Sequence, residues 1–273
     1  MLKRIPGGAR RTLALLAVAA AGCSHPAQVS SPVPGQAPAR QSTAITDGES
    51  LVRAMYERYQ NKWYRTMTFV QTTTITRGAV APTTQTWYEA LSLPGRLRID
   101  FGNPEAGNGA LFRSDSTYRF SGGKITTADT GFNPLVVLGF DVYTQPPEQT
   151  ISILRHLGYQ LSRMHTTSLD GKPGYVVGAS TNSDSTSKQF WIERNRLLFV
   201  RSREKTSAGQ QSDVRFTDYV PAGNGWIARQ VWQIVDGNPR LHEEYANIKA
   251  DVPLDSALFD PKQWATVKHW IKP

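Results

Sequence analysis

The sequence of 273 residues contains a single cysteine, Cys23. One cysteine excludes an intramolecular disulfide framework and any metal site built from several thiolates. No apolar stretch approaches the ~20 residues that a helix needs to cross a membrane. Glycine and proline, at 22 and 17 residues, are too frequent for a coiled coil or a simple helical bundle. A hydrophobic content of 39% is too high for a disordered chain.

Known catalytic motifs are also missing from the sequence. It has no Gly-x-Ser-x-Gly, His-Glu-x-x-His, Walker or Gly-x-Gly-x-x-Gly pattern, and its five histidines are isolated from one another. The segment His242-Glu243-Glu244 comes nearest to a metal-ligand cluster. Neighbouring strand residues point to opposite faces, so only His242 and Glu244 could cooperate there. We therefore expect a protein that is not an enzyme and has no metal or organic cofactor.

The N-terminal segment has the pattern of an export signal. Lys3, Arg4, Arg10 and Arg11 precede the short apolar run Leu13–Ala21. A basic segment followed by a short apolar one is typical of a secretory signal peptide. The residues Ala20-Ala21-Gly22-Cys23 that follow resemble the bacterial lipobox. This resemblance implies cleavage before Cys23 and acylation of that residue, the alternative being an ordinary signal followed by a free cysteine.

The predicted anchor and the charge balance favour a membrane surface as a partner. Removal of residues 1–22 lowers the formal charge from +9 to +5, which suits anionic headgroups. One acyl chain binds a protein to a membrane only weakly, whereas several acyl chains anchor it stably. Residue 24 is serine, and in proteobacterial lipoproteins the absence of aspartate there favours the outer membrane, on its periplasmic side. Export argues against nucleic acid as a partner and leaves an envelope protein as a possible one.

Three regions follow from composition: a signal peptide over residues 1–22, a proline- and serine-rich tether over 23–45, and one domain over 46–273. The domain opens with a helix, because Thr46 and Glu49 fit a capping box ahead of an amphipathic stripe from Leu51 to Trp63. Such a stripe either docks on a core or lies across the mouth of a cavity.

From residue 65 onward the hydrophobic pattern alternates with a period of two. In Arg96–Phe101, three charged residues share one face and three apolar residues the other, as in a half-buried antiparallel strand. We predict ten or eleven strands of this kind. Two short helices interrupt them, one capped by Asn133 before Pro134 and one opened by Pro146-Pro147 and ended by Gly158. This order predicts an α+β fold.

Four stretches resemble the LolA/LolB-like superfamily of periplasmic and lipid-anchored carriers, over roughly residues 47–261. They are the opening helix running into Tyr64–Ile75, then Leu93–Asp100, Phe190–Leu198 and Pro253–Pro261. The resemblance implies a large curved antiparallel sheet that forms an incomplete β-barrel, closed by helices around a hydrophobic cavity for acyl chains. The sequence departs from the family in its additional strands after residue 205.

A sheet of this size leaves internal space unless helices or a ligand fill it. Apolar residues at inward positions of the predicted strands are candidate cavity-lining, ligand-binding residues, with plain core packing as the alternative for each. They are Met67, Phe69, Trp87, Leu97, Ile99, Phe101, Tyr118, Phe120, Phe190, Ile192, Trp226, Trp232 and Ile234.

A basic group surrounds one predicted hairpin and consists of Arg194, Arg196, Arg201, Arg203 and Lys205. It fits either phosphate headgroups or an acidic partner, or a solvated hairpin whose charges discourage edge pairing. The sequence as a whole favours a lipid-anchored carrier that holds a lipid, an acyl chain or a lipoprotein. The alternatives are a non-catalytic envelope scaffold with a filled barrel and a hydrolase.

Overall fold

The computed structural model describes residues 44–271. The predicted signal peptide over residues 1–22, Cys23 and the predicted tether up to residue 43 lie outside the described residues. The helices are α1 (Gly48–Tyr59), α2 (Pro134–Gly139) and α3 (Pro147–His156). The strands are β1 (Thr66–Arg77), β2 (Val80–Ser92), β3 (Arg96–Phe101), β4 (Gly109–Arg113), β5 (Ser116–Ser121), β6 (Lys124–Thr130), β7 (Met164–Leu169), β8 (Lys172–Val177), β9 (Gln189–Glu193), β10 (Leu198–Lys205), β11 (Gln211–Ala222), β12 (Gly225–Val235) and β13 (Asn238–Ala250).

All thirteen strands belong to one antiparallel sheet, in the order β6-β5-β4-β3-β2-β1-β13-β12-β11-β10-β9-β8-β7. The chain runs outward from the centre through β1 to β6, crosses over through α2 and α3, and returns through β7 to β13. The last strand pairs with the first, for example at Thr73 and Glu243. Strands β6 and β7 are the two edges, so the curved sheet is not closed. The predicted α+β fold with an incomplete barrel is confirmed.

The strand count was underestimated, since β4 was not predicted. Its sequence, Gly109-Ala110-Leu111-Phe112-Arg113, is short and shows no clear alternation. Strand β7 begins at Met164, and Tyr159 packs in the core as part of the connection from α3.

Helix α1 is capped one residue later than the sequence pattern indicates. Asp47, not Thr46, is the N-cap: its carboxylate accepts a hydrogen bond from Ser50 N at 2.8 Å, and Ser50 Oγ accepts one from Asp47 N at 3.0 Å. Glu49 instead forms ion pairs with Arg53 and Arg155. Aspartate is at least as good a cap as threonine, so both residues compete for this position.

The helices cover one face of the sheet, which we call the inner face and which carries Met67, Phe69 and Leu97. Helix α2 begins as predicted: Asn133 Oδ1 accepts a hydrogen bond from Leu135 N at 2.9 Å, and Pro134 is the first helical residue. The connection after α2 is tied to the β2–β3 turn, because Gly95 N donates to Asp141 Oδ1 at 2.8 Å.

The C-terminal segment, residues 254–271, covers the opposite, outer face over β2 to β5. Leu258, Phe259 and Trp264 pack there against Ala90, Leu111 and Phe120. Arg98 and Asp100 are consequently buried, at 3% and 0% exposure, and form a bidentate ion pair at 2.8 and 2.9 Å. The expectation that the charged face of β3 is solvated is therefore wrong, and β3 is covered on both sides.

Candidate functional site

A pocket of about 170 Å³ lies between the inner face of the sheet and α2. We call it the inner pocket. Strands β2, β3, β4, β11, β12 and β13 form its floor. Its lining residues are Glu89, Leu97, Ile99, Phe112, Asn133, Leu135, Val136, Phe140, Val214, Phe216, Val231, Gln233, Leu241, Glu243 and Tyr245.

Most of this lining is apolar, because the alternation of β3 and β11 turns leucine, isoleucine, valine and phenylalanine side chains inward. Leu97 and Ile99 come from β3, and Val214 and Phe216 from β11. Helix α2 adds Leu135 and other apolar residues from above. A dry apolar cavity of 150 Å³ is known to bind benzene. The inner pocket as it stands therefore fits a ring or a chain of about six carbons.

Two carboxyl groups lie in this apolar lining. Glu89 comes from β2 and is 4% exposed, and Glu243 comes from β13 and is partly buried. Burial, and then repulsion from Glu243, raise the pKa of Glu89 well above its ordinary value. Burial raises the pKa of Glu243 to about 7, although hydrogen bonds from Tyr245 and Gln71 act in the opposite direction. Near neutral pH the pair therefore holds protons that exposed glutamates release.

The groups beside the two carboxyls are neutral hydrogen-bonding side chains, and two of their donors are already engaged. The Tyr245 hydroxyl donates to Glu243 Oε2 at 2.8 Å. Gln71 is fully buried and donates from Nε2 to Thr73 Oγ1 at 2.7 Å, but its Oε1 has no donor. Within residues 44–271, Glu89 has no side-chain hydrogen-bond partner, and no arginine, lysine or histidine lines the pocket.

The structure brings only part of the predicted cavity set into the inner pocket. Leu97 and Ile99 line it. Four others are completely buried in the adjoining core and fill it: Met67, Phe69, Phe190 and Ile192. Trp87 and Phe101 share the inner face but pack against each other outside the pocket, with ring centroids 4.4 Å apart and the rings tilted by 45°. Trp226 packs beside Gly139 and Phe216, where no free volume remains.

Four predicted inward residues lie on the outer face instead. Tyr118 and Phe120 pack beneath the C-terminal segment, and the Phe120 ring stacks on Trp264 at 4.0 Å. Trp232 pairs with His242 across the strands and stacks on it at 3.6 Å, and Ile234 shares its face. The assignment of these four residues to the inner face is wrong for one physical reason. An aromatic residue in a strand indicates burial but not which face is buried, and in this sheet both faces carry buried or stacked aromatics.

The two glutamates were missed by the search for chemical motifs. Glu89 shares its strand face with Trp87 and Leu91, and Glu243 shares its face with Leu241 and Tyr245. Both could have been identified from the sequence, because each is an acidic residue at an inward position of a strand whose other inward residues are mostly apolar. His242 and Glu244, whose spacing places them on one face of a strand, lie on the outer face of β13, which is a central strand of the sheet.

Two members of the basic hairpin group are paired with acidic neighbours. Arg201 forms a bidentate pair with Asp213, at 2.7 and 2.6 Å, and lies over the Trp191 ring. Arg196 pairs with Glu193 at 3.3 Å and lies over the Trp226 ring. These contacts favour the interpretation of a structural hairpin over that of a phosphate site.

A larger cleft of about 820 Å³ lies on the outer face, beside the C-terminal segment. Arg98, Trp264 and His269 line it. Its buried charged groups already have partners: His269 Nε2 lies 3.0 Å from Asp100 Oδ2, and the Arg98 guanidinium pairs with Asp100 and lies 3.8 Å from the Trp264 ring centroid. The inner pocket, where polar groups remain without partners, is therefore the stronger candidate site.

Two further properties bear on the site. Among residues 44–271, no three or more histidine, cysteine or acidic side chains come together in a way that could hold a metal ion. The described part of the chain also contains no helix that is long and apolar enough to span a membrane.

Several solved structures share this fold. A "putative outer membrane lipoprotein-sorting protein domain" from Vibrio parahaemolyticus superposes with a TM-score of 0.56 at 9% identity, over 80% of this chain and 98% of that chain. A DUF1329 family protein from Desulfovibrio piger gives 0.54 at 16% identity, over 78% and 95%. A LolA superfamily protein from Nitrosomonas europaea gives 0.51 at 10% identity, over 80% and 98%.

No family model and no curated protein matches the sequence. The likeness is therefore one of structure. The chain has a LolA/LolB-like fold, as the resemblance of its four sequence stretches implies.

Proposed function

We propose that this protein is a lipid-anchored carrier on the periplasmic side of an outer membrane, and that it holds a lipid, an acyl chain or an acylated protein in the inner pocket. The observation that carries the proposal is an apolar pocket left open between a curved sheet and a short helix. The fold shared with a LolA superfamily protein supports it. Binding needs no covalent chemistry, because burial of each methylene contributes about 0.8 kcal/mol.

The test of the pocket is lipid co-purification. A Cys23→Ser variant removes any covalently attached lipid from the measurement. We expect native mass spectrometry to show a non-covalently bound lipid or acyl compound on this variant. Adding Leu135→Trp fills the pocket and is expected to abolish the adduct. Leu157→Trp is the matched control, since Leu157 follows α3, is also partly buried and lies outside the lining.

The anchor is tested separately. Cells that make the unaltered protein should yield a mature chain that begins at Cys23 and carries the added mass of acyl groups. The Cys23→Ser variant should lack that mass and leave the membrane fraction. An unmodified thiol at residue 23 in the purified protein would contradict the anchor.

A non-catalytic envelope scaffold is the second candidate, and one observation favours it. Four of the predicted cavity residues, Met67, Phe69, Phe190 and Ile192, fill the core, and the pocket that remains measures only about 170 Å³. If the folded Cys23→Ser variant carries no adduct and binds no added lipid, the scaffold interpretation replaces the carrier.

A further inference from the structure

In the described part of the chain, the inner pocket holds two carboxyls in an apolar lining without a positively charged neighbour. Glu89 and Glu243 line it, and Gln71, whose Oε1 has no donor, lies beside Glu243. The Tyr245 hydroxyl and the Gln71 amide are already engaged as donors, and the two amide side chains of the lining bring no charge. Burying a charge without a partner costs free energy. Each of the two carboxyls is therefore stabilised either by taking up a proton or by binding a cation from outside.

We propose that the inner pocket binds an apolar ligand that carries a primary ammonium group, and that this group lies between Glu89 and Glu243. The proposal rests on the proposed carrier function and specifies its ligand class. Glu89 is the strongest support for a bound cation, because it is 4% exposed, lines the pocket and has no side-chain partner within the described residues. The apolar side chains of Leu97, Ile99 and Leu135 then surround the hydrocarbon part of the ligand.

An ammonium group and protons compete for the same carboxyls. Binding of the cation favours the ionised pair, so it displaces protons and strengthens as pH rises through the pKa of Glu243, which is about 7. Apart from Glu89 and Glu243, Tyr245 is the one titratable residue in the lining, and burial keeps its pKa well above its ordinary value. An alkylamine, like lysine, stays protonated up to about pH 10. Any change in the affinity of the alkylamine between these pH values therefore reports the ionisation of the two carboxyls.

The test compares three ligands of equal length: hexylamine, 1-hexanol and hexanoate. Each is titrated into the protein by isothermal calorimetry at pH 6 and pH 8.5. We expect hexylamine to bind at least tenfold more tightly than 1-hexanol at pH 8.5, and this preference to shrink at pH 6. Hexanoate should bind most weakly at pH 8.5, because its charge has the same sign as that of the pair.

Matched variants assign the preference to the carboxyls. Glu89→Gln and Glu243→Gln each keep the side-chain shape and should each reduce the preference for hexylamine at least fivefold. Glu244→Gln is the control, because Glu244 neighbours Glu243 in β13 but is exposed on the outer face. It should leave the preference unchanged. Using two separate pocket variants keeps the test valid if one of them folds poorly.

The outcomes separate this inference from the carrier function itself. If 1-hexanol binds as tightly as hexylamine and Leu135→Trp blocks both, the pocket is an apolar site and the ammonium proposal is overturned. If neither Glu89→Gln nor Glu243→Gln changes the preference, the cation lies elsewhere and the proposal also fails. If none of the three ligands binds the folded protein, the carrier function fails together with it.

Discussion

Asp141 shows how a single buried carboxyl makes the stability of this fold depend on pH. It is 3% exposed, and burial raises its pKa to about 7, although the hydrogen bond from Gly95 N opposes the shift. The ordinary value of 3.8 applies to the unfolded chain. Between these two values the folded protein keeps a proton that the unfolded chain has released. Stability contributed by this group is therefore complete below about pH 4 and is lost as pH rises through 7.

We predict that Asp141→Asn stabilises the protein at pH 8 by up to about 4 kcal/mol and changes little at pH 4. The amide oxygen can still accept from Gly95 N, while the group no longer ionises. Denaturant unfolding at the two pH values measures this, with the exposed Asp129→Asn in β6 as control. A variant that is less stable at both pH values would show that an ionised Asp141 supports the fold.

Arg98 and Asp100 give a second prediction at this scale. Burial alone would raise the pKa of Asp100, but the hydrogen bonds from Arg98 and His269 outweigh it and hold the pKa below its ordinary value. We expect Arg98→Met to cost about 3–5 kcal/mol at pH 7, because Asp100 then loses its buried cation.

The loss should diminish toward pH 4, where Asp100 can take up a proton. Arg119→Met in β5 is the matched control, since Arg119 is exposed. The double variant Arg98→Met/Asp100→Leu should recover much of the lost stability. If it is no more stable than Arg98→Met alone, lost packing on Trp264 explains the effect rather than an unpaired charge.

At the scale of elements, the N-cap of α1 can be tested, because the sequence pattern indicates Thr46 whereas the structure has Asp47 at this position. Asp47→Ala removes the acceptor for Ser50 N and should cost about 1 kcal/mol of unfolding free energy. Thr46→Ala should cost almost nothing, because the Thr46 side chain takes no part in the cap. Chemical denaturation of the two variants checks the difference. Equal losses, or a larger loss for Thr46→Ala, would restore the cap that the sequence pattern suggests.

Some of the helices and strands could be predicted from the sequence, and some of their contacts could not. The bounds of β3 and the Asn133-Pro134 start of α2 follow from local rules, namely alternation and capping chemistry, and both were predicted. The burial of Arg98 was not, because it depends on Trp264, which lies far away along the chain. The two carboxyls of the inner pocket were missed for a related reason: Glu89 and Glu243 come to line one pocket only when β13 returns to pair with β1.

For the whole molecule, the open sheet and the small pocket set the size of any ligand. Strands β6 and β7 do not close the sheet, and α2 is the element that covers the inner pocket. The pocket fits about six carbons, so enclosing a whole acyl chain of ordinary length requires α2 to move away from the sheet. Helix α2 has six residues and is buried mainly through Val136, Val137 and Leu138.

We predict how affinity depends on ligand length for 1-alkanols of four to ten carbons. Each added methylene should tighten binding roughly fourfold up to about six carbons, as burial at 0.8 kcal/mol per methylene requires. Beyond that length the gain should continue only if α2 opens. Hydrogen exchange should then quicken at the amides of Val137 and Phe140 with decanol but not with hexanol.

The opposite result has a definite meaning for the molecule. If affinity stops rising at about six carbons and exchange in α2 stays unchanged, the helix is a fixed part of the core. The fold would then enclose a site for small molecules, and an acyl chain would have no route into it. The carrier function thus depends less on the number of apolar residues that face inward than on the mobility of one short helix over the carboxyls of Glu89 and Glu243.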